Sequence, residues 1–594
     1  MGMSRPGRGF LAALLLPAMA SATVYQGNPG NYLALLDQLQ PGDTLQLAAG
    51  TYRDQLQISD LHGAPGAYIT ITGPQSGAAA VFLADNCCNT VQLDDVSWLE
   101  VSHLTLDGTG TEGPFGVDSR NVTHHVTISD LTIIGYGADQ QMDGISTKGP
   151  AWNWIVRRNR IIGAGTGMYF GSSDGSAPFV AGLIEYNVVL DTLGYNAQIK
   201  HQNPRPSNIG MPTGVNRTII RHNVFSKANG ANGGDSARPN LLVGHLPLSG
   251  TGQDDSYEIY GNFFYENPTE ALFQGEGNIG LYGNLFVNSV GDALNIVPHN
   301  DQPRSVTVFQ NTVVADGRGI YVSGGKAGFT QRIIGNAVFA APAISGPNQA
   351  SNITAAYGST NLYLKNPWGA IGQLDLYPLA GMLEGTAIDT SAFTGYTDWS
   401  LDFNGRARDQ AFRGAYSGAG SNPGWKLALA MKDSAAPVTP APTLSFSATP
   451  ASIANGGSTT LAWSSTDASA CTASGGWTGT RASSGSSSSG ALTTTTTFSL
   501  TCSGAGGTAA RSVTVTVAAA PGGGSGGGGS GGGSGGSGSS AGDPPAATGS
   551  GGGGGALDWL LGFLLAAGGW SRRRRSPGVS SPQPLSDSPW QDRA

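Results

Sequence analysis

An all-β chain, a parallel β-helix followed by a smaller β-sandwich, is the fold class that this 594-residue sequence predicts. Three observations carry it. Short β-forming runs broken by one polar residue, most often Asn, recur between residues 100 and 340. Glycine supplies 92 of the 594 residues and charged residues only 12%, against usual shares of about 7% and about 25%. Beyond residue 435 the composition turns to Ser, Thr, Ala and Gly, with alternating runs such as TLSFSAT and RSVTVTV; period two is the signature of half-buried strands. The formal net charge of −8 argues against nucleic acid as a partner. The scarcity of charge excludes a long charged helix or coiled coil.

From the N-terminus, residues 1–22 read as a secretory signal: Arg5 and Arg8, the apolar run Phe10 to Leu16, then Ala20-Ser21-Ala22. Export places the cysteines in an oxidising compartment. Cys471 and Cys502, 31 apart, are expected to pair across the second domain. Cys87 and Cys88 are adjacent and form either a vicinal disulfide or a turn of two small residues. Tyr32 to Leu39 is a short amphipathic run before the strands of LQPGDTLQLAAGTY. A helix there would cover the first coil and block edge-to-edge aggregation.

The repeat then sets in as VRRNRIIG, IEYNVVL, IRHNVFS, IYGNFFY, LYGNLFV, VFQNTVV and IIGNAVF, with Asn159, Asn187, Asn223, Asn262, Asn284, Asn311 and Asn336 in one slot. VSHLTLD and ISDLTII place His103 and Asp130 in the same slot. Steps of 22–29 residues suit one coil of three strands and three turns. A polar side chain at a fixed inward turn can stack into an amide ladder, so these asparagines are read as structural.

Two steps, 187 to 223 and 223 to 262, exceed the coil length. The extra segments HQNPRPSNIGMPTG and KANGANGGDSARPN map to loops on one face, the usual place for binding in a solenoid. The strands that follow the Asn turns are DGISTKG, GMYFGSS, AQIKHQN, LLVGHLP, ALFQGEG and ALNIVPH. Their ends present Lys148, Lys200 with His201, His245, Gln274 with Glu276, and His299 on one edge. With Arg205 from the first loop, Lys148, Gln274, Glu276 and His299 are candidate substrate contacts in a sugar-binding groove.

The PGDT…GTY opening, AYITITGP and WLEVSHLTLDG resemble right-handed parallel β-helix proteins, above all the polysaccharide lyases that include chondroitinase B and alginate lyases. The resemblance covers roughly residues 25–340. It implies β-elimination on an acidic polysaccharide: a base takes the proton beside a neutralised carboxylate, and the sugar leaves from the next carbon. It carries the base role to Lys200 in AQIKHQN, with His201 beside it. The family's Arg-His-Gly run has no match; the next coil reads Val243-Gly244-His245, with Arg238 in the loop before it. The family's Asn-Gly-Glu calcium motif is missing, and a Ca²⁺ would fall to Asp143 and Asp174. The same carboxylates leave a glycoside hydrolase open, and a non-catalytic glycan- or envelope-binding β-helix is the further alternative.

The β-helix domain is expected over 23–434, a Pro-rich linker (AAPVTPAP) over 435–443 and a β-sandwich over 444–518 that resembles a bacterial immunoglobulin-like module, with Trp463 near its cystine. A Gly/Ser tether fills 519–555. The apolar run ALDWLLGFLLAAGGW with Arg572 to Arg575 (556–575) resembles a GlyGly-CTERM sorting signal; a polar tail, 576–594, follows. That resemblance implies a membrane-embedded sorting protease and delivery to the cell surface or beyond; the protein is expected to be monomeric.

Overall fold

The computed structural model describes residues 22–432 and 442–518, except 467, 469, 505 and 506. Residues 1–21 of the secretory signal, 435–441 of the Pro-rich linker and everything from the Gly/Ser tether onward lie outside the described residues. Among the described residues no helix is long and apolar enough to cross a membrane.

Residues 22–355 wind into a parallel β-helix with three faces. Each coil contributes one strand per face, as in Ile155–Arg157, Arg160–Ile162 and Thr166–Phe170. Each strand pairs in parallel with its counterpart in the next coil, as Ala197 with Leu241 and Leu241 with Phe273. Alternation decides what lies inside. On the third face Met168, Ala197, Leu241 and Phe273 stack inward, while Tyr169, Gln198, Leu242 and Gln274 stack outward. The helix Tyr32–Leu36 closes the first coil: Tyr32 and Leu36 are buried, and the Tyr32 ring meets Tyr52 and Phe82 edge-on.

The asparagine ladder forms as expected and gains an eighth member, Asn352. From Asn159 to Asn336 each Nδ2 donates to Oδ1 of the next asparagine at 2.9–3.0 Å. Each also donates to a strand carbonyl, as Asn223 does to Ile184, so the buried amides are satisfied. His103 and Asp130 do not belong to the slot. They take the left-handed turn position just before it (φ 57° and 56°), the place of Arg158 in the next coil. The slot holds Leu131, whose N–H donates to Asn159 Oδ1, and the buried Leu104 of the coil before. Polarity at the turn misled the alignment by one residue.

The coils end before the expected boundary. Residues 357–432 fold back along the outside of the helix. Leu364, Leu376, Leu383 and Phe403 cover the outward side chains of the second face, among them Val224, Phe263 and Leu285. Ile388 and Phe393 cover Tyr260, Tyr282 and Phe309 on the first face. The buried Lys432 ammonium donates to the carbonyls of Phe403 (2.7 Å) and Gly261 (3.1 Å), fastening the end of the wrap. The third face carries the enlarged loops instead.

The second domain is a two-sheet sandwich. Thr443–Thr449, Thr460–Thr466 and Ser484–Ser488 form one sheet. Ser452–Ala454, Gly507–Ala518, Thr496–Gly504, Ala470–Gly475 and Gly479–Arg481 form the other. Cys471 and Cys502 are disulfide-bonded and pack with Trp463. The bond does not cross the sandwich: the two cysteines are register partners on adjacent antiparallel strands of one sheet.

Candidate active site

The enlarged loops sit at the two ends of the third-face strands. Residues 201–216 follow Ala197–Ile199, and 227–240 precede Leu241–Val243. A third enlargement, 244–255, follows Leu241–Val243. The sequence reading missed it because one long step hid two insertions. Arg205 ties the first and third loops together: it pairs with Asp255 and donates to the carbonyls of Pro212 and Gly214. Buried and fully engaged, Arg205 is a loop staple and not a substrate contact.

Lys200 is one residue past its strand, at the groove edge. Its ammonium makes no hydrogen bond or ion pair among the described residues, and stands 5.9 Å from the Tyr169 ring centre. Burial, then Lys148 and Arg238, push its pKa below the ordinary lysine value. Lys148 lies on the other side of Tyr169, 3.5 Å from the ring centre, and is neutralised by Asp143 at 2.8 Å. Burial pushes the Asp143 carboxyl up to about 7, against the pull of Lys148.

Tyr169 is the residue that sequence reasoning missed. It is the outward member of Thr166–Phe170, in register with Ser146 and Gln198. Aligning strand ends drew attention past it, whereas the alternation Met168-Tyr169-Phe170 marks it. Burial raises its pKa and keeps the phenol protonated.

His201 and His245 meet across the next coil, ring centres 5.1 Å apart. Lys200 and His245 therefore share one side of the spiral. His245 Nδ1 donates to the Leu246 carbonyl (2.9 Å), which leaves Nε2 as an acceptor. Burial, His245 and Lys200 push His201 down, so it is neutral at pH 7. Arg238 donates to the carbonyls of Asp235 and Ala237 and faces the Tyr195 ring at 5.9 Å. It is near enough to Lys200 to depress its pKa.

Farther along the face, Gln274 and His299 line a cavity of about 200 Å³ with Asn295, Arg318 and Tyr321. Glu276 borders it, but its carboxylate is buried and accepts the N–H groups of Asn300 (2.6 Å) and Asp301 (3.2 Å). It shapes a turn and is not open to substrate.

Asp143 and Asp174 do not make a shared calcium site. Asp143 holds an ammonium, which opposes a divalent cation. Asp174 is spent on its own turn, accepting from Ser172 and Ser176, which pulls its pKa to about 2. The one candidate metal cluster among the described residues is Asp85, Cys87 and Cys88. Its sulfurs are bonded to each other, so it offers no thiolate pair.

No family model matches the chain, and no curated protein matches it. Solved structures do. One is an alginate lyase from Paenibacillus sp. str. FPU-7: 16% identity, 47% of this chain and 97% of that one, TM-score 0.31. Another is the PL6 family alginate lyase AlyGC: 15% identity, 61% and 56% of the two chains, TM-score 0.30. A third is tailspike protein gp49 from Acinetobacter baumannii bacteriophage Fri1, a capsular polysaccharide depolymerase: 10% identity, 84% and 78%, TM-score 0.35. The fold assignment rests on the coil register itself, a parallel β-helix.

Proposed function

We propose that the protein is an exported polysaccharide lyase that cleaves an acidic, uronate-containing polysaccharide by β-elimination, with Lys200 as the base. The observation that carries the reading is the pair of lysines around Tyr169: one ammonium is neutralised by Asp143, and the other has no partner and a depressed pKa. A lysine poised in this way is a proton acceptor at moderately alkaline pH.

The substrate carboxylate sits between Arg238 and Lys148. Their N–H groups, and the charge of Arg238 that no carboxylate neutralises, draw electron density from it and acidify the proton on the adjacent carbon. Lys200 Nζ takes that proton. The electron pair forms the carbon–carbon double bond as the bond to the glycosidic oxygen breaks. Tyr169, still protonated, donates to the leaving oxygen, and exchange with solvent resets both groups. His245 Nε2 accepts a sugar hydroxyl. Gln274, Asn295 and His299 bind a sugar farther along the chain. No step runs through calcium. Hydrolysis would need two cooperating carboxylates, and Asp143 and Asp174 hold separate partners.

Secretion, an immunoglobulin-like spacer and processing of a surface-sorting signal complete the reading. They rest on the sequence of residues 1–22, 444–518 and 519–594. The test is a panel of alginates, pectate and chondroitin followed by ultraviolet absorbance of the unsaturated uronic end. Absorbing product from one of them is expected. Reducing ends without absorbance would replace the reading by hydrolysis, and binding with neither product by a glycan-binding role.

A further inference from the structure

Cys87 and Cys88 are joined in a vicinal disulfide, exposed on a loop beside the same third face that carries Lys200. Beneath them is a hollow of about 420 Å³. Its floor is the outward ladder Gln57–Gln92, continued by Asp118 on the next coil. Phe115 forms one wall and Arg120 another.

The loop is held in place without help from the sulfurs. Asp85 Oδ1 accepts the Cys87 N–H at 2.9 Å, and Asn86 Oδ1 accepts the Glu112 N–H of the next coil at 2.8 Å. Asn89 accepts the Phe115 N–H (2.9 Å) and donates to Gln92 (2.9 Å) and Asp118 (3.1 Å). The disulfide is thus set as a compact apolar platform over a row of amides. Arg120 uses only Nε on the buried Asp118, at 3.2 Å, and its side chain is 64% exposed. Its two terminal nitrogens have no protein partner among the described residues. Phe115 connects the hollow to the proposed centre, with Lys148 Nζ 5.3 Å from its ring centre.

We infer that this hollow is a distal subsite for a uronate residue of the polysaccharide. The Arg120 fork takes the carboxylate, the Gln57 Oε1, whose Nε2 is held by the Asn89 carbonyl, takes a hydroxyl, and the disulfide with Phe115 takes the C–H face of the ring. The inference rests on the acidic-polysaccharide reading above and adds a place and a chain length to it. From Gln92 to Gln198 there are four coil steps, through Asp118, Ser146 and Tyr169, or roughly 19 Å at about 4.8 Å each. Only an oligosaccharide can touch both the hollow and Lys200.

The test measures binding, not turnover. Titration calorimetry on the full chain carrying Lys200→Ala would compare tetramers and octamers of mannuronate, guluronate and galacturonate. At least one octamer is expected to bind more tightly than its tetramer. Arg120→Gln is expected to remove that advantage by about tenfold or more, and Cys87→Ser with Cys88→Ser is expected to reduce it, with unchanged circular dichroism in each case. An octamer no tighter than its tetramer, or an advantage that survives Arg120→Gln, overturns the subsite; an advantage that survives loss of the disulfide overturns the platform. Unsaturated product from the unsubstituted chain is scored separately. Length-dependent, Arg120-dependent binding without such product would sink the lyase reading and leave the subsite standing.

Discussion

Lys148 and Lys200 bracket one aromatic ring, Tyr169, from the coils on either side of its own, and only Lys148 has a carboxylate. The register makes this asymmetry. Asp143 and Lys148 flank one strand, Asp143–Thr147, so the carboxylate reaches the ammonium of its own coil. In the coil of Lys200 the position in register with Asp143 is Tyr195, a phenol that faces Arg238 and offers Lys200 no carboxylate. Lys200 is left with like charges as its neighbours.

The first prediction concerns pH. The Lys200 pKa is lowered by burial and by Lys148 and Arg238, and only its neutral form accepts a proton. Activity should rise with pH and level off below the free-lysine value of about 10.4. Lys200→Ala should lose about 10²–10⁴-fold in kcat with an unchanged melting temperature. A profile already flat at pH 6, or a fully active Lys200→Ala, would remove the base.

The second uses the neighbour. Asp143→Asn leaves the Lys148 charge uncompensated beside Lys200. The Lys200 pKa should fall further, moving the rising limb of the profile to lower pH. Lys148→Met removes one of the charges that depress Lys200 and should move the limb to higher pH. Opposite displacements of kcat/KM against pH are the expected result; displacement in one direction for both would mean that Lys148 does not act on Lys200 through its charge.

The coils and their ladder were legible in the sequence because each coil repeats a turn residue and a period-two pattern, and both are local signals. The Lys200–His245 edge was legible for the same reason, since residues at matching points of successive coils must stack. The roles of Arg205 and Glu276 were not. Their partners Asp255 and the Asn300 and Asp301 N–H groups lie in loops whose course no repeat dictates. Residues 357–432 were hidden too: they cover outward side chains such as Phe263 and Tyr282, and apolar residues on both sides of a strand look alike before their cover is known.

The third prediction weighs the ladder. Asn223 satisfies the N–H and side-chain amide of Asn187, the Ile184 carbonyl and Asn262 Oδ1. Asn223→Ala leaves several of these buried and unpaired, at about 1–3 kcal/mol for each such group. Asn352 ends the ladder and is half-buried, so water can replace part of what it provides. In urea titrations Asn223→Ala should cost clearly more than Asn352→Ala. Equal midpoints would mean that the ladder adds no stability along its length.

The last prediction is acid lability at a histidine pair away from the groove. Asn153 Nδ2 donates to His125 Nε2 at 2.9 Å, so the His125 proton is on Nδ1. That N–H points at His124 Nδ1, 2.8 Å away, and places the His124 proton on Nε2. Protonating His124 would set one N–H against another in a ring already stacked on Trp152 at 4.5 Å. Burial, then His125 and His62, accordingly push His124 from 6.5 to about 4. Between these values the unfolded chain binds more protons than the folded one, so stability rises with pH. The contribution is complete above about pH 6.5 and is lost as pH falls toward 4; solvent reaching the half-buried ring reduces its size. Calorimetric melting of the full chain should show a melting temperature that drops over this window, and His124→Gln, which keeps a neutral group over Trp152, should flatten the drop. An unaltered slope in His124→Gln would place the acid sensitivity elsewhere, with His222 next in line because burial and Lys432 hold it neutral as well.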